Sequence, residues 1–180
     1  MGNQPPNLYE EERKKVYPSV ILEEIDYGRA IEALVVVCTD IGIIDSESKT
    51  LYLARRALRP ASGRWWFIGG RIFVGEPEKK SAQRCFKRET GLLIEECRFQ
   101  FVCMNRYFFK DRQQAPHEVG CDSLCYTFAI QLTSKEREQI VLDSREYQGG
   151  SLREFKREEL QSGGEVWLPL CDFYTKVFES

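Results

Sequence analysis

Apolar and polar residues follow two different rhythms along this chain, and the changes of rhythm mark its elements. From Ile31 the run IEALVVVCTDIGII is dense in β-branched residues, and it gives way to polar DSESK and then to TLYLARR. Such side chains suit a pleated strand and the polar break suits a turn, so the pattern predicts a hairpin turning near Ser46 to Lys49. RWWFIGG extends the strand character and stops at Gly69 and Gly70. A missing side chain there permits a tight turn or a close approach to a ligand.

Beyond Gly75 the period becomes helical. Pro77 fits a first turn, where its absent N–H would have no partner, PEKKSAQRCFKRET continues the helix, and Gly91 can cap its end. Ala82, Cys85, Phe86 and Glu89 recur at helical spacing on one face, so a carboxylate points inward with apolar side chains. Buried there, it requires a cation or hydrogen-bond donors.

RFQFVCMNRYFF and SLCYTFAIQL predict two further strands separated by the polar loop KDRQQAPHEVGCD. SKEREQIVLDS reads as a short helix or a loop into a strand, SLREFKREELQS as a strand entering a helix, and VWLPLCDFYTKVFE as a final helix. Near the amino terminus, LYEEERKKV could form a short helix within a polar arm. Mixed strands with few helices predict an α+β sandwich rather than a doubly wound sheet.

Composition narrows the function. A chain of 180 residues, 42% hydrophobic, suits one domain, assigned to 19–180, behind a flexible amino-terminal arm, 1–18. Lys and Arg number 26 against 28 Asp and Glu, so no global field would hold the protein on nucleic acid or an anionic membrane. Any anion site is local. Seven cysteines, an odd number lying partly in apolar runs, fit reduced thiols in a cytoplasmic protein. Cys121 and Cys125 lack the second pair a zinc site needs and are assigned to strand packing. No apolar run reaches membrane-spanning length, and no signal peptide is expected.

Phosphate chemistry calls for a divalent ion, guanidinium groups that fork onto oxygens, and a backbone turn admitting the anion closely. Gly70, five residues, Glu76, seven residues, Arg84, then Glu89, Thr90, Gly91 and Leu92 resembles the Nudix box. Two of its usual acids are replaced, by Cys85 and Arg88, which argues against a site of two or three ions. LARRALRPASGRWWFIGGR, Leu53 to Arg71, is similar to the GDP-mannose mannosyl hydrolase branch of that superfamily, which also keeps only the last acid of the box.

The resemblance implies a Nudix-type α/β/α sandwich with a mixed sheet and hydrolysis of a nucleoside diphosphate derivative, such as a nucleotide sugar. It implies one Mg2+ or Mn2+ held by the Gly69 carbonyl, Glu89 and Gln148. Catalytic roles fall to Arg71, Arg84 and Glu89, and substrate binding to Arg56, Arg71 and Trp66. A homodimer is also implied. The family's base, a histidine after the Gln148 position, is replaced by Gly149, and its acid in the strand before the hairpin falls on apolar sequence near Ala33 to Val35. His117, Glu118 or Glu146 could supply the base instead. Trp65 and Trp66 face opposite sides of a strand, so one packs in the core while the other could stack on a base or sugar, core packing being the default for either, and the role of Arg88 stays open. A second class remains: a Nudix-fold module that binds a nucleotide or sugar phosphate without turnover.

Overall fold

The computed structural model describes residues 21–162 and 168–179; the amino-terminal arm with its LYEEERKKV segment lies outside the described residues. Helix α1 (Glu24–Ala33) precedes strand β1 (Val36–Asp45), so Ile31 to Ala33, read from composition as the start of a strand, belong to a helix instead. An unbroken β-branched run begins only with the valines of VVVC, and the helix ends just before it.

The hairpin forms as predicted. β1 and β2 (Thr50–Arg56) pair antiparallel with Asp45 opposite Thr50, and Lys49 closes the turn at φ 50°. β3 (Trp65–Trp66) pairs antiparallel with the end of β2, and β4 (Ile68–Arg71) pairs antiparallel with β1. Helix α2 (Glu78–Thr90) runs from Pro77 at its amino cap to Gly91, whose φ of 77° is the left-handed cap conformation. Strands β5 (Gln100–Phe109) and β6 (Cys121–Gln131), the short helix α3 (Ser134–Glu138), β7 (Tyr147–Phe155), α4 (Arg157–Ser162) and α5 (Leu168–Phe178) follow.

The sheet is mixed. β1 lies parallel to β6 and antiparallel to its other partners, and its free edge is divided: Ile43–Asp45 pair with β2, whereas Cys38–Ile41 pair with β4. Two cores sit on its two faces. Ala82, Cys85 and Phe86 of α2 pack with Ile41, Ile68 and Phe128 on one. On the other, Leu170, Phe173 and Tyr174 of α5 pack with Leu51, Leu53 and Phe67. Burying whole Leu and Phe side chains on both faces contributes roughly 1.5–3 kcal/mol each, so both helical layers are fixed against the sheet. The result is the α/β/α sandwich that the sequence implied. No helix among the described residues is long and apolar enough to cross a membrane.

Candidate active site

The divided edge of β1 sets up the site. Beside it opens a cleft of about 280 Å3 lined by Asp40 of β1, Arg56 at the end of β2, Gly69, Gly70 and Arg71 of β4, Arg88 of α2, and Glu146 just before β7. Gly69 and Gly70 do not form the expected turn. They lie inside β4, opposite Asp40 and Thr39, and Gly69 permits contact between backbones: a Cβ there would stand 2.1 Å from the Thr39 carbonyl oxygen.

Glu89 is inward-facing and 1% exposed. Its Oε2 accepts the Tyr147 hydroxyl and, at 3.2 Å, the Gly69 N–H, while its Oε1 accepts the Arg88 guanidinium. Burial raises its pKa, and these donors pull the other way. The need for a cation or donors, inferred from the helical face, is therefore met by both.

Asp40 was not anticipated. The strand before the hairpin was expected to be apolar where an acid is required, but it carries one farther along, at the point where β4 joins. Asp40 is 6% exposed, its Oδ2 has no protein hydrogen-bond partner, and burial pushes its pKa up to about 7 against the pull of Arg56. A lone charge inside CTDIGII was the available clue, since an isolated acid rarely enters a strand interior without a purpose or a partner.

The arginines separate into two kinds. Arg56 and Arg71 line the cleft; Arg56 is steadied by the Pro60 carbonyl at 2.9 Å, and Arg71 stacks over Tyr27 at 4.6 Å. Arg84 is not among the cleft-lining residues and is taken up by Glu76 at 2.6 Å and by the Arg71 carbonyl at 2.8 Å. Trp66 is buried at 4%, edge-on to Tyr107 and Phe109, and contributes to the cleft wall from the core.

Gln148 is not brought to Glu89. Tyr147 reaches Glu89, and the next residue of the strand turns to the opposite face, where Gln148 is exposed beside Arg55. His117 and Glu118 are also exposed and outside the cleft; the His117 Nδ1 lies 3.2 Å from the Arg112 carbonyl. Of the carboxylates considered as a base, Glu146 alone joins the lining.

The sandwich thus carries a glycine, glutamate and arginine box wrapped around the turn into α2. The sequence pattern of the NUDIX domain matches residues 36–171, and the chain belongs to the NUDIX family. Members are typically hydrolases and generally use divalent metals. Among solved structures it is similar to a MutT NUDIX hydrolase from Burkholderia pseudomallei, at 17% identity and TM-score 0.61, covering 80% of this chain and 98% of that one. It is also similar to a MutT protein from Methanosarcina mazei Go1, at 14% identity and TM-score 0.58, covering 82% and 95%. The NUDIX domain of Shewanella oneidensis NrtR complexed with ADP ribose matches at 12% identity and TM-score 0.55, covering 87% and 99%.

The residues do not fit the divalent ion that the family usually carries. Gly69 and Glu89 adjoin, but Gln148 points away, both Glu89 oxygens are engaged by donors, and the guanidinium of Arg88 also reaches the Gly69 carbonyl at 3.5 Å. Among the described residues no group of three or more His, Cys, Asp or Glu side chains could hold a metal. A hard cation such as Mg2+ demands near-octahedral oxygen ligation, which this donor set does not provide.

Proposed function

We propose that the cleft binds the diphosphate of a nucleoside diphosphate derivative, a nucleotide sugar in particular, and that the protein hydrolyses it. The observation that carries this reading is the convergence of Arg56, Arg71 and Arg88 with one buried carboxyl, Asp40, on a single cleft. Guanidinium groups fork onto phosphate oxygens and stay charged when partly desolvated. Arg56 and Arg71 therefore hold the diphosphate and counter the charge that grows on it as the bond to the leaving group breaks.

Asp40, with a pKa close to neutral, is suited to accept the proton of the attacking water. Water oxygen adds to the sugar carbon or to phosphorus, the severed bond's electron pair leaves with the departing phosphate oxygen, and the Asp40 carboxylate takes the proton. Arg84 acts one step back: held by Glu76, it fixes the Arg71 main chain and so the direction of Arg71. Glu89 and Tyr147 fix β4 against α2 and β7. The similarity to the GDP-mannose mannosyl hydrolase branch points to GDP-mannose-like substrates. Homodimer formation and a cytoplasmic setting stay expectations of the resemblance and of the cysteine content.

One observation favours a second reading, a binding module without turnover: the Glu89 carboxylate is wholly satisfied by protein donors, as in a structural ion pair. The NrtR NUDIX domain solved with ADP ribose, a diphosphate-bridged nucleotide sugar, is a precedent for a NUDIX domain holding such a ligand. Both readings are separated by incubating the protein with a panel of nucleotide sugars and dinucleotides, with Mg2+ and with EDTA, and resolving products by chromatography. Turnover that disappears in Asp40→Asn supports hydrolysis. Retained binding with no product under any condition supports the module, and neither binding nor product rejects both.

A further inference from the structure

Arg88 stands where the two oxygen donors of a divalent-ion site would otherwise be free. Its Nη2 donates to Glu89 Oε1 and lies 3.5 Å from the Gly69 carbonyl oxygen. The same nitrogen nestles against Gly70, where a Cβ would come within 2.9 Å of it. Glu89 and the Gly69 carbonyl, two of the three ligands that the resemblance assigned to a metal, thus converge on one guanidinium nitrogen. The neighbouring helix position is Cys85, a buried thiol whose pKa burial raises, and it offers no carboxylate to outcompete that contact.

The remainder of the guanidinium is placed for a ligand. The Arg88 side chain is 46% exposed and lines the cleft, and the contacts above use only one of its three nitrogens. Burial disfavours the Arg88 cation, but the charge and hydrogen bond of Glu89, with a smaller contribution from Glu146, which also lines the cleft, prevail and hold it charged. Arginine keeps its charge at every pH the fold tolerates, and it can bridge a carboxylate on one side and a phosphate on the other. A metal ion arriving at Glu89 would have to break a charge-assisted hydrogen bond while being repelled by the guanidinium it displaced.

We propose that Arg88 is a built-in cation: it occupies the divalent-ion position on Glu89 and Gly69 and contacts the ligand's diphosphate directly, so that ligand uptake is independent of metal. The ligand half of this statement rests on the diphosphate reading above, whereas the cation half stands on the Arg88 geometry.

Two titrations test the halves separately. Free Mn2+ is followed by electron paramagnetic resonance as it is added to the full chain, to Arg88→Glu and to Arg88→Gln, with circular dichroism confirming the fold of each. Wild type is expected to bind no more tightly than about 1 mM, with Arg88→Glu at least about tenfold tighter and that gain lost on adding Glu89→Gln. Arg88→Gln, which frees Glu89 and adds a neutral amide oxygen in place of a carboxylate, lies between. Wild-type binding in the micromolar range that is abolished by Glu89→Gln overturns the cation claim.

In parallel, GDP and inorganic pyrophosphate are titrated calorimetrically in EDTA and in Mg2+. Equal affinities in the two buffers, weakened about tenfold or more in Arg88→Gln, are the expected result. Binding that requires Mg2+ overturns the proposal. Failure of either compound to bind in both buffers overturns the diphosphate reading, and the Mn2+ titration then decides the cation claim alone.

Discussion

Arg84 and Glu76 form a two-point pair, Nε to Oε1 at 2.6 Å and Nη2 to Oε2 at 2.7 Å, that ties helix α2 to the turn preceding it. The turn is closed from three sides. Glu76 Oε2 also accepts the Phe73 N–H at 3.0 Å, the Phe73 ring lies 3.8 Å beneath the Arg84 guanidinium, and Arg84 donates to the Arg71 carbonyl. Burial disfavours the Glu76 carboxylate, but the Arg84 hydrogen bonds prevail and hold its pKa below the usual range. The spacing of Gly70, Glu76 and Arg84 thereby encodes a loop shape that aims Arg71.

Arg84→Ala is accordingly expected to lower stability by about 1–2 kcal/mol, since it leaves the half-buried Glu76 without its cation. Hydrogen exchange at residues 72–76 should accelerate more than elsewhere. Arg84→Lys should recover part of the stability but not the two-point geometry. A variant that keeps wild-type exchange yet loses ligand affinity would instead put Arg84 on the ligand.

Tyr147→Phe removes the hydroxyl that donates to Glu89 inside the core. Chemical denaturation should show a loss of about 1–3 kcal/mol, because Glu89 Oε2 then keeps only the Gly69 N–H, at 3.2 Å, and is otherwise desolvated. An unchanged midpoint would mean that Glu89 carries no charge needing that donor.

The two glycines of β4 should respond differently. Gly69→Ala drives a methyl into the Thr39 carbonyl at 2.1 Å, a backbone atom that cannot retreat without parting β1 from β4, and a large fall in melting temperature or insoluble expression is expected. At Gly70 the obstacle is the end of the flexible Arg88 side chain, 2.9 Å away, with the Cys85 sulfur at 3.2 Å. Gly70→Ala should fold and should displace Arg88, weakening GDP binding in calorimetry while sparing most of the stability.

Asp40 is expected to make stability and hydrolysis respond to pH in opposite directions. Its folded pKa of about 7 exceeds the ordinary 3.8, so the folded state binds more protons between these values, and stability falls as pH rises from about 4 through about 7. The full difference is on the order of 4 kcal/mol as an upper bound. Asp40→Asn should therefore be more stable than wild type at pH 8, with the advantage shrinking toward pH 4, as read from denaturant midpoints across that range. Hydrolysis, if Asp40 is the base, should rise with pH on a limb centred near 7 and lose that limb in Asp40→Asn.

Much of this protein was legible in its residues because the relevant physics is local. The hairpin at Ser46 to Lys49, the α2 boundaries at Pro77 and Gly91, and the inward face carrying Cys85, Phe86 and Glu89 follow from turn chemistry, capping and helical period, which act within a few residues. What the sequence could not decide was which distant groups meet. Asp40 becomes a cleft residue only because β4 lays Gly69 beside it, Glu89 is satisfied by Tyr147 58 positions away, and Gln148 is lost to the site by the alternation of a strand whose register is set by β2. The choice between a metal ion and Arg88 on Glu89 belongs to the same class. It depends on the separation of charges brought together by packing, and a linear order of residues holds no such distance.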